Sequence, residues 1–200
     1  MNLQRIALLL AVLAVVAACI NDPVFPGDQV LGTFRFEATV DRQRTTCDLK
    51  GPDFASLSDA GTFQFDGTFS RNADQPQGWL TVQGFARDAG YSGARVVSVH
   101  RASTRPPSCG PSCEGAEVEE ALDVLLLSNS QDTLIGRRCS GLVDGGVPDG
   151  GGQPPGPTPT GYDVERACGT LTDDFIPGKT NCTCTSPCRA VYTVEGTRVN

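Results

Sequence analysis

The chain has 200 residues, with 23 acidic against 16 basic side chains and a formal net charge of -7. Fourteen of the basic residues are arginines scattered without a basic block, so the charge selects neither nucleic acid nor an anionic lipid surface as partner. The length suits one ordinary domain with a sizeable core, or one domain and a small appendage.

The first element is Ile6 to Ala18, IALLLAVLAVVAA, which carries no polar side chain and follows a short segment whose single charge is Arg5. That is the layout of a signal-peptide core, and it falls short of the roughly 18 to 20 apolar residues that cross a bilayer. An uncleaved anchor helix is the competing reading. Val16-Ala17-Ala18-Cys19 resembles the lipobox of bacterial lipoproteins, in which an aliphatic residue and two small ones precede a lipid-modified cysteine. The resemblance implies that residues 1–18 are a lipoprotein signal peptide, that Cys19 takes a diacylglycerol, and that the protein is exported and lipid-anchored to the bacterial cell envelope, on its inner or outer membrane. Two or three acyl chains, at about 0.8 kcal/mol per buried methylene, give stable attachment where one does not. The remaining 182 residues would carry 15 basic and 23 acidic side chains, a balance of -8, because Arg5 is the only charge removed. The next apolar run, Leu122 to Leu127, is far too short to span.

Cysteine parity agrees with the lipobox. Nine cysteines are an odd set. With Cys19 lipidated, Cys47, Cys109, Cys113, Cys139, Cys168, Cys182, Cys184 and Cys188 remain, enough for four disulfides in a compartment where disulfides persist. Two four-thiolate zinc sites are the alternative, but such sites favour paired C-x-x-C knuckles, and here the spacings are C-x-C and C-x-x-x-C. Cys182 and Cys184 should not pair with each other, since alternate residues of an extended chain point to opposite faces.

Residues 19–30 read as a tether with two prolines. A β domain follows over 31–142. Gly32 to Val40 alternates Phe34, Phe36, Ala38 and Val40 with polar residues, the period of a half-buried antiparallel strand. Its Gly32-Thr33-Phe34 is similar to the Gly-x-Trp of lipocalin-type barrels with Phe34 in place of the tryptophan, and no binding residue is carried over. Gly61 to Ser70 repeats the pattern with Phe63, Phe65 and Phe69, and RNADQPQ turns the chain into a strand over Gly78 to Ala86. A loop at DAGYSG and a strand over Gly93 to Thr104 come next. Glu117 to Ser128 fits strand or helix, and its neighbourhood favours strand for Leu122 to Leu127. Thr133 to Val143 is expected to be another strand. Residues 143–161 hold seven glycines and five prolines, the composition of a loop or linker. The cysteine-rich β segment 162–200, with strands over Tyr162 to Leu171 and Arg189 to Val199, is expected to complete the same domain, with Cys139 and Cys168 bridging the linker. The predicted fold is mainly β: an antiparallel β-sandwich or small β-barrel stapled by disulfides. A membrane-spanning β-barrel also alternates, but the anchor and the cysteines argue against it.

Catalytic signals are sparse. His100, the single histidine, shares a strand face with Val96 and Ser98, and no G-x-S-x-G elbow supplies a nucleophile for it. Glu117, Glu119, Glu120, Asp173 and Asp174 are the acids available for paired-carboxylate hydrolysis, although neighbours such as Glu119 and Glu120 point to opposite faces of a strand. The reading is a membrane-anchored envelope lipoprotein with a non-catalytic β domain, without cofactor or metal, that binds an envelope protein, a glycan or a small ligand. A surface-tethered hydrolase using carboxylates and a structural envelope component are the alternatives.

Overall fold

The computed structural model describes residues 25–73, 75–102, 109–128, 164–184 and 187–199. The signal segment, residues 19–24 of the tether with Cys19 among them, Cys139, the strand expected over Thr133 to Val143 and the Gly/Pro-rich segment lie outside the described residues.

Eight strands follow one another: β1 (Gln29–Val40), β2 (Thr62–Arg71), β3 (Gln77–Val82), β4 (Phe85–Ser92), β5 (Arg95–Ala102), β6 (Glu117–Ser128), β7 (Val164–Ile176) and β8 (Cys188–Val199). Each pairs antiparallel with the next, and β8 returns to β1 to close an up-and-down barrel. Of the two expected architectures, the barrel is the one formed. The ladder from Thr33↔Val199 to Val40↔Tyr192 leaves no free sheet edge at the closure.

One expected strand is two. Gly78 to Ala86 is broken at Gln83 and Gly84, both at positive φ (51° and 82°), which is the two-residue turn whose twist matches antiparallel strands. A Cβ on Gly84 would meet nothing within 4 Å, so backbone conformation is what selects glycine there. The segment DAGYSG, expected as a loop, is mostly the second half of β4. Its alternation is real, with Ala89 and Tyr91 buried between exposed Asp88, Gly90 and Ser92.

Side-chain alternation places the core inside the barrel. Phe34, Phe36, Ala38 and Val40 are buried, while Arg35, Glu37 and Thr39 on the same strand are exposed. Phe34, Phe36, Phe65 and Phe69 meet at ring separations of 4.9 to 6.2 Å, and Gly196 lies under the Phe36 ring where a Cβ would come within 2.6 Å of it. The barrel is thus a packed interior on its β1, β2 and β8 side, with fully buried aromatic surface as its main stabilisation.

The outer wall is charged. Cross-strand pairs Arg35 with Asp66 (3.0 Å), Arg95 with Asp123 (2.8 Å) and Arg189 with Asp174 (2.7 Å) lie on it, together with Arg101 and Glu119. A membrane-spanning barrel carries its apolar band outside and its polar residues inside; this wall has the opposite arrangement.

The two barrel ends differ. The lower end, where β1 begins and β8 finishes, also carries the ends of β2, β4 and β6 and the 93–94 turn. The upper end carries 41–61, the 83–84 turn, 109–116 and 177–184. Disulfides Cys47–Cys188, Cys109–Cys184 and Cys113–Cys182 are all at this upper end. Residues 41–47 lie along the start of β8, with Asp41 N and Thr46 N each donating at 2.7 Å to carbonyls of Val191 and Arg189. Phe54, from a single 3-10 turn, packs edge-on against Phe175 at 5.4 Å. A cap therefore covers the β1, β8 and β7 side of the upper end.

Candidate functional site

Charged residues interrupt the inward face at that same end. On β6 the inward series is Val118, Glu120, Leu122, Val124 and Leu126; on β7 it is Ala167, Gly169, Leu171, Asp173 and Phe175. The register sets Glu120 directly opposite Asp173, and on its other side opposite His100 of β5. From β4, the inward-facing Arg87 extends its guanidinium to the Glu120 carboxylate. Tyr192 of β8, nearly fully buried, stands edge-on to Phe63 at 5.1 Å beside them.

Electrostatics mark Asp173 as the strained member. Burial, followed by the charges of Glu120 and Asp174, pushes its carboxyl up to about 7, and Arg87 pulls against them. Burial, together with the negative charge of Asp173, also raises the Tyr192 phenol well above its ordinary value. Arg87 spends its contact on Glu120, leaving its Nε buried without a hydrogen bond, and Asp173 Oδ1 is buried and likewise without one. Unmade bonds of this kind are costly in an interior.

The wall beside these residues has a seam. The β4–β5 ladder runs from Ser92↔Arg95 to Ala89↔Ser98 and ends there, where Ser98 Oγ donates to the Asp88 carbonyl at 2.8 Å. Beyond it, no ladder pair among the described residues joins Phe85–Asp88 to Val99–Ala102. Arg87 and His100 line the interior behind this gap. The side chains of Arg87 and Glu120 keep 18% and 34% of their surface accessible, and Phe85 on the rim is 73% exposed. The outer wall carries an open trough of about 540 Å³ bordered by Arg35, Glu37, Gln64 and Glu195.

Compared with protein-family models, curated proteins and solved structures, the chain matches none. The site is accordingly read from its own residues.

Of the residues singled out in the sequence, the structure gathers His100, Glu120 and Asp173 inside the barrel. Glu119 and Asp174 face each other across the β6–β7 ladder on the outer wall, engaged by Arg101 and Arg189. Arg87 carried no signal alone; what betrays it is a charge at an inward position of an alternating strand, and the same test finds Glu120 and Asp173. Among the cysteines, Cys182 and Cys184 pair with Cys113 and Cys109. The Cys109, Cys113 and Cys184 sulfurs lie within 4.8 Å of one another, so the atoms a thiolate metal site would need are engaged in disulfides. Cys168 is also disulfide-bonded, with a partner outside the described residues.

Proposed function

We propose that this protein is an exported bacterial envelope lipoprotein, held to a membrane by lipid on Cys19, whose barrel is a non-catalytic domain that binds a small ligand through the β4–β5 seam. The observation that carries the binding reading is the pair of buried, unpartnered polar atoms, Arg87 Nε and Asp173 Oδ1, inside the barrel near where the β4–β5 ladder ends. Eight-stranded barrels commonly hold one small ligand within their walls. Supporting the lipoprotein reading, three disulfides pair six cysteines and Cys168 is bonded as well. That leaves one partner to be drawn from Cys139 and Cys19, and the lipobox reserves Cys19 for lipid.

The tether joins the lower end of the barrel. The ten peptide steps from Cys19 to Gln29 reach about 35 Å when fully extended, and they attach at the end of the barrel opposite the seam. Native mass spectrometry of the protein extracted from membranes tests the binding reading. The expected result is a retained small molecule that is lost in both Arg87→Gln and Asp173→Asn; a chain that carries nothing, or whose cargo survives both substitutions, would overturn it.

The hydrolase reading has one observation in its favour. Glu120, in contact with the Arg87 guanidinium, and Asp173, whose carboxyl burial pushes up to about 7, form an inward carboxyl pair in unlike surroundings, as acid–base catalysis on a glycoside requires. Hydrolytic turnover abolished by Glu120→Gln would bring it ahead of binding.

A further inference from the structure

Arg87 and Asp173 approach Glu120 from opposite sides, Arg87 through its guanidinium and Asp173 as the ladder neighbour. Their unpartnered atoms therefore flank one carboxylate, a donor with positive charge on one side and an acceptor on the other. A purely cationic ligand would leave the Arg87 Nε donor without an acceptor, and a purely anionic one would leave Asp173 Oδ1 without a donor while facing the carboxyls of Glu120 and Asp173. In a desolvated site either mismatch is expensive. A ligand bearing both charges a few ångströms apart satisfies both atoms and buries no charge unpaired.

The surroundings specify the rest of the molecule. Val82, Ala102 and Val118 are half-buried and face inward near the cluster, and Phe85 stands exposed at the seam. The wall beside the charges is thus apolar. We propose that the site takes a small zwitterion with an apolar body, of which a free α-amino acid is the simplest example. Its carboxylate accepts from Arg87 Nε, its ammonium donates to Asp173 Oδ1, and its side chain lies against the apolar wall towards Phe85. This rests on the reading of the upper end as a ligand site.

The test uses three probes that share the leucine side chain on the full-length protein: L-leucine, N-acetyl-L-leucine and 3-methylbutylamine, which carry both charges, only the anion and only the cation. Backbone amide shifts of the labelled protein report binding. L-leucine is expected to saturate, moving amides of Phe85–Ala89, Val99–Ala102 and Glu120, with each single-charge probe at least tenfold weaker. Asp173→Asn should reduce leucine to the level of the acetylated probe, and Arg87→Gln to the level of the amine; the comparison of probes on the unsubstituted chain stands even if a variant misfolds. Leucine that fails to bind, or single-charge probes within about threefold of it, would overturn the zwitterion. If that happens while native mass spectrometry still finds a molecule lost in Asp173→Asn, the ligand class is wrong and the binding reading survives. An empty chain in both experiments overturns both.

Discussion

Asp173→Asn should remove a pH-dependent weakness from the barrel. The carboxyl is raised in the folded chain from an ordinary 3.8 to about 7, chiefly by burial. An acid whose folded pKa lies above its unfolded one favours the native state while protonated, so its contribution is intact below about pH 4 and is lost as pH rises through 7. Three units correspond to about 4 kcal/mol in all, of which roughly 3 kcal/mol is lost between pH 5 and pH 8. The charged and titratable groups around Asp173 are Glu120, Asp174, Arg87, His100 and Tyr192, and all five persist in the variant, so the difference between the two chains isolates Asp173. Urea unfolding followed by the fluorescence of Trp79, the single tryptophan, measures it. With a urea slope of about 2 kcal/mol per molar, the wild-type midpoint should fall by on the order of 1 to 2 M relative to the variant between the two pH values. Parallel pH profiles for the two chains would refute the burial of an ionisable group at this position.

Gly196→Ala places a Cβ within 2.6 to 3.1 Å of the buried Phe36 ring and should cost about 1 to 3 kcal/mol by overpacking, read as a lower urea midpoint at every pH. Opening Cys47–Cys188 with paired serines releases a link spanning 141 residues; the loss expected is about 3 to 5 kcal/mol, and a calorimetric scan showing unchanged melting would count against its bracing role. Non-reduced peptide mapping should join Cys168 to Cys139, and any other partner for Cys168 would also undo the parity argument for Cys19.

Much of the barrel could be read from alternation, because its interior is apolar and its wall charged: Phe34, Phe36, Ala38 and Val40 on β1, and the phenylalanines of β2, appear every second residue. The β3–β4 turn escaped detection since Gln83, unlike asparagine or aspartate, is an uncommon occupant of a left-handed turn position. DAGYSG has turn composition but strand conformation, imposed by pairing with β3 and β5. Helix and strand competed over Glu117 to Ser128 until two neighbouring strands decided it. Closure was illegible, as Thr33 meets Val199 only through the register of all eight strands. The site is a product of that closure. Arg87, Glu120 and Asp173 come from three strands far apart in sequence, and a local window holds just one of them; the visible trace was a charge standing on each strand's apolar face.

The most direct measurement is the intact mass of the membrane-extracted protein before and after reduction. The expected species is a chain starting at Cys19, heavier than its sequence by a diacylglycerol and, where the amine is modified, one more acyl group. On reduction it should gain the eight hydrogens of four disulfides, with no thiol titrating beforehand. A chain that retains residues 1–18, lacks acyl mass, or shows Cys19 in a disulfide would contradict it.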